Sequence, residues 1–126
     1  MIPGWLLVGF GSAIGGIARY GLARWLPVLP GAWPTATMLA NVGGSVLIGA
    51  CSVWLAGRAG ATPESARLFW MTGVLGGFTT FSAFALEATA LGSSASLARA
   101  LLYIVATVVL CLAGALAGRW LAAASW

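Results

Sequence analysis

The sequence contains no aspartate, histidine, lysine or glutamine, and its only acids are Glu64 and Glu87. Without histidine or aspartate the chain cannot form a Ser-His-Asp triad or a carboxylate–histidine metal site. Glu64 falls in a polar, loop-like segment and Glu87 in an apolar segment with helical character, so a catalytic pair of carboxylates is not expected. These absences predict that the protein is not an enzyme.

Charge is scarce throughout the chain. Charged residues make up 6% and hydrophobic residues 61%, with a mean hydropathy of +1.01, whereas a soluble domain carries about 25% charged residues. Six arginines produce the net charge of +4. They are scattered, whereas nucleic-acid binders cluster basic residues on one face, so we expect membrane lipid and no nucleic acid as a partner. The composition predicts an integral membrane protein.

The hydrophobic pattern predicts four transmembrane helices, since about 20 apolar residues span a bilayer. A length of 126 residues suits one domain. We therefore expect an all-α fold and a single four-helix transmembrane domain over residues 1–126. Small residues four apart in the first and last segments favour close helix contacts. The predicted spans run from about Trp5 to Trp25, Thr35 to Ala56, Leu68 to Leu91 and Leu97 to Ala122, and the glycine pairs are Gly11/Gly15 and Gly114/Gly118.

The arginines show no bias toward one side of the membrane. With four spans, Arg58, Arg67 and Arg119 share one side, and Arg19, Arg24 and Arg99 share the other. An equal count gives the positive-inside rule nothing to act on. The count predicts that the chain inserts in both orientations and that opposed copies pair as an antiparallel dimer. A weak bias hidden by shifted loop boundaries is the alternative.

The third segment carries the unusual stretch "TGVLGGFTTFSAFALE", residues 72–87. Its glycines weaken a helix by roughly 1 kcal/mol each relative to alanine, and its hydroxyl side chains can hydrogen-bond locally in competition with the helix. Together they predict a helix that is unwound near residues 75–81. At membrane depth such a break is tolerated where the freed backbone lines a cavity or binds an ion. Carbonyl oxygens suit a hard cation such as Na⁺.

Two stripes of polar side chains lie on the neighbouring segments. Thr37, Asn41 and Ser45 share one face of the second segment, and the other stripe consists of Tyr103, Thr107 and Cys111 on the fourth. Interhelical hydrogen bonds that hold the bundle together would explain either stripe, at about 0.6 kcal/mol per bond. A polar ion pathway would explain both stripes together with the broken helix.

Phe81 and Phe84 follow the break at a spacing that puts them on one helical face. Core packing would explain such a pair. Alternatively, their ring edges carry positive potential and can contact a small anion without a fixed charge that would trap it. The residues by themselves therefore indicate a small dimeric channel or transporter whose ion is not specified.

Three motifs resemble the Fluc (CrcB) family of fluoride channels: "GGFTTFSAF", "NVGG" around Asn41 and "GGIARY" around Arg19. The resemblance extends over essentially the whole chain. It implies a dual-topology, antiparallel homodimer in the cell inner membrane that passively exports fluoride and so reduces its toxicity. It also implies a structural Na⁺, not itself transported, at the dimer interface.

The resemblance also implies roles for particular residues. The backbone carbonyls of Gly76 and Thr79 would bind Na⁺, Arg19 would lie at the pore vestibule, and Glu87 would lie beyond the phenylalanines. The implied fluoride pathway consists of Phe81, Phe84, Asn41, Ser82, Thr80, Tyr103, Thr107 and Thr37. Two positions depart from the family pattern, which commonly has a hydroxyl residue in place of Ala83 and a serine or similar residue in place of Cys111.

Other functions remain open at this point. A small dual-topology, proton-coupled multidrug exporter needs a membrane-embedded acid early in the chain, and the first segment has none. A non-conducting assembly subunit would explain the small-residue packing but not the polar stripes. Proton-coupled fluoride transport is disfavoured because no acid is expected in the core of the pathway.

Overall fold

The computed structural model describes residues 2–27, 29, 31–57 and 64–125, and this part of the chain is helical with short connections. Within these described residues, four units are long and apolar enough to cross a membrane. This confirms the predicted all-α fold and its four spans. Arg58, one of the six arginines counted above, lies outside the described residues. The helices are α1 (Gly4–Trp25), α2 (Thr35–Gly57), α3 (residues 64–78), α4 (Phe81–Ser94) and α5 (Leu97–Ala124).

The third span consists of α3 and α4 and is broken between them. Within α3, an α-helical turn (Glu64–Arg67) leads into a π-helix (Leu68–Leu75) and then a short α-helical piece (Gly76–Phe78). Thr79 and Thr80 are extended, with φ/ψ of −82°/156° and −153°/123°. The predicted break is confirmed, but it is narrower than residues 75–81. The helix persists to Phe78 because the Thr79 amide still donates to the Leu75 carbonyl at 3.0 Å.

The two halves of the third span pack against different helices. Helix α3 lies along α1, α4 lies against α5, and α2 packs along α5. A Cβ atom on Gly15 would collide with the backbone of α3, and one on Gly118 would collide with the backbone of α2 at Val46. Both residues are buried, as are Gly11 and Gly114. The predicted close contacts at both glycine pairs are therefore confirmed.

A small apolar core holds α4 against α5. Its buried members are Phe84, Ala88, Leu91 and Tyr103, with Trp33 packed against them. The Tyr103 ring lies 5.3 Å from the Phe84 ring and 6.0 Å from the Trp33 ring, measured between centroids. This core fixes the orientation of α4 just after the break, and so it positions the side chains described next.

Candidate functional site

Asn41 of α2 bonds both backbone groups of Thr80 at the break. Its Nδ2 donates to the Thr80 carbonyl at 2.9 Å, and its Oδ1 accepts from the Thr80 amide at 2.7 Å. An extended residue has no partners within its own chain segment, and unpaired backbone groups in hydrocarbon cost several kcal/mol each. The side-chain amide of Asn41 therefore replaces the helical hydrogen bonds that Thr80 lacks.

The break changes the partners of several carbonyl groups. In a continuous α-helix the Thr80 amide would donate to the Gly76 carbonyl, but here it donates to Asn41. The Ala83 amide would donate to the Thr79 carbonyl, but it donates to the Thr80 Oγ1 atom at 3.2 Å, which caps α4. The carbonyls of Gly76 and Thr79 thus both lose their usual helical donors.

Arg19 of α1 also reaches the break. Its Nε donates to the carbonyl of Gly77 at 3.4 Å. In a continuous helix this carbonyl would accept from the Phe81 amide, but Phe81 lies beyond the extended residues Thr79 and Thr80. A guanidinium group is always charged, so this contact places a fixed positive charge beside the break.

A cavity of about 350 Å³ opens beside the break, between α2, the third span and α5. Its polar lining includes the break and side chains from α2 and α5, while Phe81 and Phe84 supply aromatic surface. The Phe81 and Phe84 ring centroids are 5.4 Å apart. The lining residues that carry polar or aromatic groups are Asn41, Ser45, Thr79, Thr80, Phe81, Phe84, Thr107 and Cys111.

Thr107 and Cys111 line this cavity from α5, one helical turn apart. Thr107 is 3% exposed, and its hydroxyl oxygen is buried without a hydrogen bond in the described part of the chain. Buried hydroxyl groups normally have a partner. Thr107 lines the cavity, but its hydroxyl oxygen has almost no surface open to it, so the side chain must move slightly before the hydroxyl can bind a small polar species.

A second polar cluster surrounds Glu87, which follows Phe84 by three residues on α4. The two carboxylate oxygens accept from the Thr37 hydroxyl at 2.8 Å and from the Tyr103 hydroxyl at 3.3 Å. Glu87 also lines a smaller cavity of about 250 Å³ near the α1–α2 connection. Phe84 lines the larger cavity and packs on Tyr103 of this cluster, so it contacts both polar regions.

Most of the predicted pathway residues lie in these two places. Asn41, Thr80, Phe81, Phe84 and Thr107 line the larger cavity, and Thr37, Tyr103 and Glu87 form the second cluster. Ser82 is not among the residues of the larger cavity in the described part of the chain, and its hydroxyl lies 3.3 Å from that of Thr80.

Two residues that matter to this site were not predicted. Ser12 of α1 bonds the Gly73 carbonyl at 3.4 Å and lies directly against Gly77. Trp33 packs on Tyr103. Ser12 directly follows Gly11, one of the small residues predicted to pack closely, and this position was the sequence feature that indicated its contact. Trp33 lies between two prolines, where sequence patterns say little about packing.

The fold and the site define a small multi-pass membrane protein with polar side chains and a broken helix at membrane depth. The family model described as "CrcB-like protein, Camphor Resistance (CrcB)" matches residues 6–119. The chain therefore belongs to the CrcB family.

Curated relatives match nearly the full length. A protein of Methylobacterium sp. (strain 4-46) is 47% identical over 86% of this chain and 87% of its own. One of Rhizobium meliloti (strain 1021) is 46% identical over 90% of both chains. One of Hyphomonas neptunium is 42% identical over 94% of both. Each of these relatives is named fluoride-specific ion channel FluC.

Proposed function

We propose that this protein is a fluoride-specific ion channel that passively exports fluoride from the cytoplasm. The observation that carries the proposal is the match, along most of both chains, to relatives named fluoride-specific ion channel. Hydrogen fluoride enters an acid-exposed cell, dissociates at cytoplasmic pH, and the trapped anion leaves through the channel. The cell inner membrane is the expected location.

The fluoride pathway in this proposal runs through the larger cavity and past Phe84 to the cluster around Glu87. Losing the hydration shell costs free energy, which hydroxyl groups and aromatic ring edges offset. Asn41 keeps a second N–H on its amide after bonding Thr80, and the unpaired Thr107 hydroxyl is a further donor. The remaining residues of the proposed pathway are Thr37, Thr80, Phe81, Ser82 and Tyr103.

The charged residues have separate roles in this mechanism. Arg19 attracts the anion toward the break while its guanidinium is held by the Gly77 carbonyl. A cation directly in the narrow path would bind fluoride too tightly to release it, so we assign Arg19 to the vestibule. The Glu87 carboxylate accepts the hydroxyl protons of both Thr37 and Tyr103, so fluoride must take the place of a carboxylate oxygen to accept from either hydroxyl.

The functional unit in this proposal is an antiparallel homodimer of dual topology, each chain being a single domain over residues 1–126. One chain leaves Phe81 77% exposed, whereas its neighbour Phe84 is 5% exposed. The larger cavity is also open on one side. A second chain in the opposite orientation would cover Phe81 and close the pathway, and the balanced arginines favour such a pair.

A structural Na⁺ at the dimer interface is the last part of the proposal. The carbonyls of Gly76 and Thr79 suit this ion because their helical donors are engaged by Asn41 and by Thr80 Oγ1. Carbonyl oxygens are ligands that hard cations prefer. Two carbonyls from each chain would surround an ion on the two-fold axis, where its charge would stabilise the pair of breaks.

The test uses purified protein in liposomes loaded with potassium fluoride. After addition of valinomycin, an external electrode should record rapid fluoride release, and matched liposomes loaded with potassium chloride should retain chloride. Release that depends on the ionophore establishes electrogenic fluoride conduction. No release from dimeric protein would contradict the proposal, and a proton-coupled drug exporter or a non-conducting subunit would then be tested next.

A further inference from the structure

Asn41 is the only side-chain amide in the sequence, and it makes two hydrogen bonds to a single residue of another helix. Both bonds have good lengths, 2.9 and 2.7 Å. A planar amide offers one donor and one acceptor side by side, as the edge of a β-strand does. Asn41 therefore pairs with the extended Thr80 as a neighbouring strand would.

This pairing decides where the Thr80 amide donates. Two acceptors compete for it: the Asn41 side chain and the Gly76 carbonyl, which lies four residues earlier. Without Asn41, the chain can satisfy the Thr80 amide by extending α3 and bonding Gly76. The Gly76 carbonyl, which already points along the axis of α3, would then be occupied by a helical hydrogen bond.

We infer that Asn41 is a positioning residue that holds the break open and keeps the Gly76 carbonyl free for Na⁺. This inference rests on the sodium site of the proposed function, and it assigns Asn41 a task beyond donating to fluoride. In this inference the Asn41 side chain serves both the Na⁺ site and the fluoride pathway. Asn41 holds the break with one N–H and its oxygen, and it faces the cavity with the other N–H.

The first test is amide hydrogen exchange in the wild-type dimer, resolved at single residues. Thr80 lies outside a helix, yet its amide should exchange slowly because Asn41 accepts from it. In Asn41→Ala the Thr80 amide can bond only Gly76 at the fraying end of α3, so exchange at Thr80 should become faster by roughly two- to tenfold, the range expected for one hydrogen bond. A wild-type Thr80 amide that exchanges as fast as an unbonded one would overturn the inference whatever the variants do.

The second test measures thermal unfolding of the dimer over a series of Na⁺ concentrations, with N-methylglucamine as the replacement cation. We expect Na⁺ to stabilise the wild type. Asn41→Ala, which affects the Gly76 carbonyl of both chains, should need at least about tenfold more Na⁺ for the same stabilisation, equivalent to about 1.4 kcal/mol. Ser45→Ala is the matched control. Ser45 lines the same cavity, but among the described residues its hydroxyl bonds only the Asn41 carbonyl of its own helix. The sodium dependence of this variant should therefore equal that of the wild type.

The outcomes separate the inference from the proposed function. If Asn41→Ala loses fluoride efflux but keeps both the wild-type sodium dependence and Thr80 exchange, Asn41 is only an anion donor and the inference is wrong. If the wild type conducts fluoride but does not respond to Na⁺, the sodium site is wrong and the inference fails with it, while channel function stands. If the wild type does not conduct fluoride yet responds to Na⁺ as described, the inference stands without the channel.

Discussion

At the scale of single residues, Phe81 and Phe84 differ in their surroundings although they are three positions apart. Phe84 is buried against Tyr103, whereas Phe81 projects from the chain and is 77% exposed. Both line the larger cavity. Phe84 therefore contributes to the core of this chain as well as to the pathway, and Phe81 depends on whatever covers the open side of the cavity.

Replacing either phenylalanine with isoleucine should reduce fluoride efflux, because an aliphatic side chain has no positive ring edge. Phe84→Ile should also lower the free energy of unfolding, by about 1 kcal/mol, through lost packing on Tyr103. Phe81→Ile should leave packing within one chain nearly unchanged, because Phe81 is 77% exposed there, so any loss of stability should arise where the second chain covers it. Efflux from liposomes and thermal unfolding measure the two effects. Unchanged efflux in both variants would show that the ring edges have no role in transport.

At the scale of helices, close packing and the break depend on different residues. Buried glycines bring backbones together where α2 meets α5 and where α1 meets α3. The break itself is stabilised by side chains from outside the third span, Asn41 and Arg19. Because the broken helix depends on hydrogen bonds from α1 and α2, these two helices must be fixed in position. The glycine contacts fix them by packing α1 on α3 and α2 on α5.

Two glycines of α2 provide a matched test of this packing. A Cβ atom on Gly49 would collide with the Ala115 carbonyl of α5, whereas one on Gly43 meets nothing within 4 Å among the described residues. Gly49→Ala should destabilise the fold by about 1–3 kcal/mol through overpacking. Gly43→Ala should be neutral or slightly stabilising, since alanine favours a helix by up to about 1 kcal/mol.

Thermal unfolding in detergent measures both glycine variants. Equal stability of Gly49→Ala and the wild type would contradict the close approach of α2 and α5. Destabilisation by Gly43→Ala instead would mean that a second chain packs on that face, and a lower dimer fraction on size-exclusion chromatography would reveal it.

At the scale of the whole molecule, insertion in two orientations is the property that the proposed dimer requires. Ser65 lies in the first turn of the third span, near Arg67, and Ser94 ends the span, near Arg99. Both are exposed. A new lysine at either position would unbalance the arginine count and fix one orientation, because basic residues near helix ends are retained in the cytoplasm.

We therefore expect Ser65→Lys and Ser94→Lys each to lose fluoride efflux from cells when expressed alone. Expressed together, the oppositely oriented chains should form dimers and restore efflux. Fluoride sensitivity of cells that lack their own fluoride exporter measures this, with membrane abundance as the control. Full activity of each variant alone, with a single orientation verified by labelling, would rule out antiparallel pairing.

The sequence by itself determined the number of spans and the location of the break. Long apolar runs define helices in a bilayer regardless of their neighbours, and the glycines and threonines of residues 72–87 act locally on helix stability. The break was predicted too wide because the Leu75 carbonyl still holds the Thr79 amide. The family motifs predicted which residues belong to the site but not which groups those residues contact.

Only the tertiary structure decided what each polar side chain contacts. Thr37, Asn41 and Ser45 form one stripe in the sequence, yet Thr37 bonds Glu87, Asn41 bonds Thr80 and Ser45 bonds its own helix. Thr37 and Ser45 are eight positions apart, which is about 12 Å along a helix, so the members of the stripe meet different neighbours. Hydrogen bonds across helices depend on how α2, α4 and α5 pack, and no spacing within one segment encodes that arrangement.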